Sequence, residues 1–147
     1  VGAGANYRVG GRIGDRGLDE EAAVAVRAVR GATQVATDDR EQVLAGAREL
    51  VTEVMSRNDL TPQHFISVLF TATRDITSVP PALGARQLGL DEVALLCAQE
   101  MYVEGSMPRV VRLLAHVETD QDRLKNVYLH GTEMLRKDIP QVSVVEP

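Results

Sequence analysis

The sequence predicts an α+β fold: a mixed five-stranded sheet with one long and one short helix. Three observations predict it. Apolar segments follow one another in the order β-α-β-α-β-β-β, which suits a sheet covered on one face by helix. One segment, from Val43 to Met55, repeats its apolar residues at helical spacing, and another, Val110–Glu118, alternates at strand spacing. A chain of 147 residues, 44% hydrophobic and 25% charged, has material for one core and not for two.

Residues 1–21 hold six of the 12 glycines together with Arg8, Arg12 and Arg16, and they lack apolar periodicity. They read as a flexible tail before a domain over 22–139, with a C-terminal arm over 140–147. The valine-rich Ala23–Arg30 is expected as the first strand, ended by Gly31. Asp38 and Glu41 have the spacing of a capping box, which opens a helix over 38–58. In that helix Val43, Leu44, Ala47, Leu50, Val51, Val54 and Met55 share one face, and Arg48, Glu49, Glu53 and Arg57 cover the other.

Thr61-Pro62 starts a short turn, and Phe65–Ala72 is a mostly apolar run expected as a buried strand. A loop from Asp75 leads through Pro80-Pro81 into a short helix, Pro81–Leu88, which Gly89 ends. Val93–Cys97 is a further buried strand, and Gln99–Pro108 is irregular. In Val110–Glu118, Val111, Leu113, Ala115 and Val117 point one way, and Arg112, Leu114, His116 and Glu118 the other. Asn126–His130 is the last expected strand, with Tyr128 opposite Val127 and Leu129. A sheet this small has a second face to bury. The Arg112 face is not apolar enough to be buried within one monomer, so self-association is expected.

Composition excludes several functions. A net charge of −5 speaks against an electrostatic nucleic-acid binder, and five aromatic residues without a Trp speak against a base-stacking surface. No apolar run approaches the ~18 residues of a membrane span, and the opening residues lack the pattern of a signal peptide. Cys97 is the only cysteine, so no intramolecular disulfide forms. His64, His116 and His130 have no ligand-like spacing, and neither metal nor cofactor is expected. Nucleophile, phosphate-loop and metalloprotease motifs are absent. Of the 16 basic residues 14 are arginine, which fits codon bias and also fits carboxylate binding by the guanidinium fork. Arg30, Arg86, Arg112 and Arg136 stand at the ends or on the polar faces of apolar segments, and each alone also fits a surface salt bridge.

Five separated motifs then occur in order: Val29-Arg30-Gly31-Ala32-Thr33, Thr71-Ala72-Thr73 with Asp75, Cys97-Ala98-Gln99-Glu100, Val110-Val111-Arg112, and Val127-Tyr128-Leu129 with Leu135-Arg136. With these the chain resembles the monofunctional AroH-type chorismate mutases over residues 24–139. The resemblance implies a homotrimer forming a pseudo α/β barrel, with active sites at the subunit interfaces. It implies a cytoplasmic isomerase that rearranges chorismate to prephenate on the route to aromatic amino acids. Such a reaction is pericyclic and uses no nucleophile or cofactor, in keeping with the missing motifs.

Position by position, the resemblance implies that Arg112 faces the ether oxygen and that Glu100 binds the ring hydroxyl and orients Arg112. Arg30 and Tyr128 would hold a carboxylate, Cys97 would contribute through its backbone, and Arg86 would lie near the entrance. Leu135 and Arg136 would come from the segment that closes over the site. The chain departs from the family pattern at Pro80-Pro81-Ala82-Leu83, where Phe-Pro-Ala and often a lysine are usual. It departs again at Tyr102, where aspartate is common, at Gly105-Ser106, and in a shorter turn before Arg123. These changes leave two alternatives open: a related enzyme acting on a modified chorismate-like substrate, and a non-catalytic trimeric binding protein.

Overall fold

In the computed structural model, which describes residues 23–136, helix α1 (Arg40–Arg57) lies across one face of a five-stranded sheet. The expected tail, 1–21, and arm, 140–147, lie outside the described residues, as does the side chain of Arg136. The strands are β1 (Ala25–Gln34), β2 (Phe65–Ala72), β3 (Ala94–Gln99), β4 (Val110–Thr119) and β5 (Val127–Tyr128), and a second helix, α2 (Ala82–Ala85), precedes β3. Their spatial order is β3-β2-β4-β1-β5. β4 runs antiparallel to both β1 and β2, whereas the pairs β2–β3 and β1–β5 are parallel. The mixed sheet with two helices is therefore as expected, and several boundaries differ.

α1 forms where the 3.6-residue stripe lies: Val43, Leu44, Ala47, Leu50, Val51 and Val54 are all buried. Its cap is Asp39 rather than Asp38. The Asp39 carboxylate accepts from the Gln42 N–H at 2.9 Å. Asp38 instead accepts from the Thr77 and Ser78 N–H groups, each at 3.1 Å, and so pins the loop after β2 to the start of the helix. Both carboxyls are held below the usual range, Asp38 first by the Ser78 side chain and Asp39 first by that of Thr37.

β1 does not stop at Gly31 but runs on to Gln34. The glycine is there for space. A Cβ at Gly31 would lie 2.9 Å from Leu50 Cδ1 and 3.2 Å from the Val127 carbonyl oxygen, so its absence lets α1 and β5 close onto β1. The short helix is also corrected. α2 ends at Ala85 and passes into a wider helical turn, Arg86–Leu90, within which Gly89 leaves the helical path at φ +92°. β3 runs two residues past the expected end at Cys97. β5 is shorter than expected because His130 and Gly131 take positive φ and turn the chain into a 3₁₀ turn, Thr132–Arg136.

The core lies between the helices and the inner face of the sheet, where Val29, Val68, Phe70, Val111, Leu113, Ala115 and Val127 meet Leu50, Val51 and Val54. Each Val, Leu or Phe among them contributes about 1.5–3 kcal/mol on burial. A register shift between Phe65 and Ser67 leaves Ile66 as an extra, exposed residue. It turns Ser67, Leu69 and Thr71 onto the outer face, alongside Arg112, Leu114 and His116 of β4. No helix covers this outer face among the described residues, and Val26, Leu69, Leu96 and Leu114 are exposed on it.

Candidate active site

The outer face carries the polar residues in one row. Cross-strand register aligns Ala98 of β3, Thr71 of β2, Arg112 of β4, Ala32 of β1 and Tyr128 of β5. Strand periodicity explains why they share a face. Arg30 sits one step along the same face, opposite Leu114, and its N–H donates to Asn126 Oδ1 at 2.9 Å. Small alanines in the row keep the floor low between the long side chains.

These residues line a cleft of about 370 Å³, with Arg30, Thr71, Glu100, Arg112 and Tyr128 as its polar lining and Leu69 and Leu114 as its apolar wall. Arg112 Nε lies 2.7 Å from Glu100 Oε1. Its N–H is not aligned with that oxygen, so the contact is ionic rather than a linear hydrogen bond. Thr71 Oγ1 donates to the same Oε1 at 3.3 Å. The Glu100 N–H, just past the end of β3, donates to the Ala72 carbonyl at 2.8 Å, which fixes its backbone beside β2. The Tyr128 hydroxyl is buried without a hydrogen-bond partner among the described residues. An acceptor on a bound molecule would satisfy it.

Four of the residues singled out in the sequence therefore come together: Arg30, Glu100, Arg112 and Tyr128. Arg86, Cys97 and Leu135 do not line this cleft, and the side chain of Arg136 lies outside the described residues. Arg86 is exposed on the turn after α2. The side chain of Cys97 points to the opposite, helix-covered face, packs on the core and accepts from the Ala82 N–H at 3.4 Å. Leu135 is half-buried in the 3₁₀ turn, and Arg136 ends that turn. Leu83 packs on a small apolar cluster of Val35, Val43, Leu44 and Val79. The sequence named Thr71 within the Thr71-Ala72-Thr73 motif but gave it no role, and the leucine wall was not assigned.

A second cavity of about 230 Å³ shares Glu100 with the first and is rimmed by Arg74, Met101, Tyr102 and Met107. The Arg74 guanidinium lies 3.3 Å from the centroid of the Tyr102 ring, a cation–π stack. Among the described residues no group of three or more His, Cys, Asp or Glu could hold a metal ion, and no helix is long and apolar enough to cross a membrane.

A mixed sheet with helices on one face and an arginine–glutamate–tyrosine cleft on the other defines an α+β protein whose cleft carries the donors a small anion needs. Residues 26–139 match the family model described as chorismate mutase type I, and the chain belongs to that family. It is 42% identical over 117 residues to "Chorismate mutase AroH" of Thermus thermophilus, covering 78% of this chain and 96% of the relative. It is 35% identical over 117 residues to "Chorismate mutase AroH" of Bacillus subtilis, covering 78% of this chain and 92% of that one. A solved structure of a chorismate mutase from Clostridium thermocellum superposes with a TM-score of 0.72 at 36% identity, covering 74% of this chain and 98% of the other.

Proposed function

We propose that this chain is a chorismate mutase that rearranges chorismate to prephenate in the Arg30–Glu100–Arg112–Tyr128 cleft. Family membership supports the reaction, and the Arg112–Glu100 contact at 2.7 Å carries the assignment of the site. Chorismate is a compact dianion whose rearrangement breaks an ether C–O bond and forms a C–C bond within one molecule. A catalyst has two tasks, to hold the reactive chair conformer and to stabilise charge as the ether bond breaks ahead of C–C formation.

Arg112 performs the second task. Its guanidinium carries a permanent positive charge, and Glu100 takes up Nε, which leaves the terminal nitrogens to face the ether oxygen. Glu100 also accepts from the ring hydroxyl. Arg30 and the Tyr128 hydroxyl hold a substrate carboxylate, a role that suits a buried hydroxyl in need of an acceptor. The protein's overall charge of −5 does not oppose this, because the cleft pairs two arginines with one glutamate.

The working unit is a homotrimer. The exposed Val26, Leu69, Leu96 and Leu114 on the outer face support this reading, since apolar side chains beside a polar cleft favour burial by another copy. A neighbouring copy would bring its Arg86 to the cleft, which would account for the absence of Arg86 from it within one protomer. Leu135 and Arg136 would then close the site from the C-terminal segment.

Incubating the purified chain with chorismate, and in parallel with its amino analogue, tests the proposal. Prephenate formation with preference for chorismate is the expected result. Turnover of the amino analogue alone would assign a modified substrate. A folded chain that fails to bind chorismate at millimolar concentration would point to a non-catalytic binder.

A further inference from the structure

We infer that Thr71 is a positioning residue: its hydroxyl holds the Glu100 carboxylate against Arg112. The inference rests on the reading of the cleft given above and adds to it a residue with no role so far.

The argument begins with topology. Glu100 follows β3 and Arg112 lies in β4, and β2 runs between these strands. At ordinary strand spacing the two backbones are about 10 Å apart. The glutamate side chain must reach over β2 to meet the guanidinium. Thr71 is the β2 residue at the crossing. It pairs directly with Arg112 on one side and with Ala98, two residues before Glu100, on the other.

A carboxylate extended in this way has several rotamers open to it. Its backbone is fixed by the bond to Ala72, but that bond leaves the side-chain torsions free. Arg112 cannot fix them alone, because its N–H is off the line to Oε1 and a misaligned contact lacks the angular selectivity of a hydrogen bond. The Thr71 hydroxyl donates to that same oxygen at 3.3 Å. Being β-branched, Thr71 has a restricted χ1, so the hydroxyl is itself well placed. Glu100 is thus held from its own backbone, from the middle strand and from the cation it orients.

An apolar residue would serve β2 equally well at this position, since Leu69 on the same face is apolar and exposed. The hydroxyl adds nothing to strand formation, and among the described residues it donates to Glu100. A small loss of order in the carboxylate moves the guanidinium away from the reacting oxygen, and positional errors of this kind are costly to rate.

The test uses the full chain with Thr71→Val and Thr71→Ser, and with Arg112→Ala in the same series. Thr71→Val keeps the branched shape and removes the donor. It is expected to lower kcat/KM roughly 10-fold, the scale of one hydrogen bond to a charged group, with Tm and oligomer mass unchanged. Thr71→Ser restores the donor and should recover activity to within roughly 2-fold of wild type. A crystal structure of Thr71→Val should show the Glu100 carboxylate displaced from Arg112 Nε.

Wild-type activity in Thr71→Val overturns the inference, and so does equal loss in the serine variant. Lost activity with the Glu100–Arg112 contact unchanged also overturns it, since Thr71 would then act on the substrate directly. If Arg112→Ala keeps full activity, the reading of the cleft fails. If Arg112→Ala is slow and Thr71→Val is not, only the role of Thr71 fails.

Discussion

Arg112 and Glu100 meet above β2, with Nε 2.7 Å from Oε1, although their strands are not neighbours in the sheet. The contact crosses a whole strand, so it links the sheet's edge to its centre and aims the guanidinium into the cleft. In the proposed reaction this is the group that meets charge building on the ether oxygen. Arg112→Ala should therefore lower turnover by at least ~10²–10³-fold, as expected for the loss of one oxyanion-type donor. Steady-state assay of a folded, normally assembled variant checks this, and near-wild-type turnover would rule out the mechanism.

The outer face makes a separate prediction about assembly. Leu96 is 65% exposed on the edge strand β3, on the face that carries the cleft. A carboxylate there could not be buried against another copy without a large desolvation cost. With the proposed trimer formed through this face, Leu96→Asp should leave the protein monomeric in analytical ultracentrifugation at micromolar concentration, and activity should fall with it. A trimer that persists would place the interface elsewhere.

The site was more legible than the details of the fold that carry it. Strict alternation in β4 placed Arg112 opposite the core residues, and alternation about Tyr128 did the same in β5. Thr71 stood in a recognised motif, but its place on the cleft face was hidden because the irregularity at Ile66 resets which β2 residues face outward, and a bulge has no clear signature in an apolar run. The cap was ambiguous for a local reason: Asp38 precedes Glu41 by three residues, and Asp39 precedes Gln42 by three. Long-range contact with Thr77 and Ser78 decided between them. Gly31 read as a strand end, because glycine's local preference and its use for close packing look alike in a sequence.

Gly31 itself supports a stability prediction. An added Cβ would meet Leu50 Cδ1 at 2.9 Å and the Val127 carbonyl oxygen at 3.2 Å. The leucine tip can shift, but the carbonyl belongs to the β1–β5 pairing, which also positions Tyr128. Gly31→Ala should cost roughly 1–3 kcal/mol, the range for overpacking a core, and urea unfolding would measure it. An unchanged midpoint would show that α1 has room to move away.

Buried Asn58 is a second position on which stability should depend. Its Nδ2 donates to the Val54 carbonyl at 2.9 Å and to the Lys125 carbonyl at 3.0 Å, and its Oδ1 accepts from the Lys125 N–H at 2.6 Å. The side chain thus ties the end of α1 to the segment leading into β5. Asn58→Ala leaves those backbone groups without their partner and should destabilise the fold by roughly 1–3 kcal/mol in denaturant titration. Loss of activity beyond that expected from unfolding would show that the tie also holds Tyr128 in place.

Asp38 gives the protein a pH dependence of known sign. Hydrogen bonds from the Ser78 side chain first, and then from the Thr77 and Ser78 amides and the Thr77 hydroxyl, favour its ionised form. Its folded pKa is therefore below the ordinary value of 3.8. A carboxyl with a depressed folded pKa adds stability above its unfolded pKa and loses it as pH falls through the folded one. Asn mimics the protonated form, so Asp38→Asn should lower Tm at neutral pH. The gap between variant and wild type should narrow as pH falls below about 4, where Asp38 of the unfolded chain takes up a proton, and should close further as pH falls through the lower folded value. Paired thermal melts at pH 7 and pH 3 measure the two gaps. A gap of equal size at both would show that shape, and not charge, pins the loop to α1.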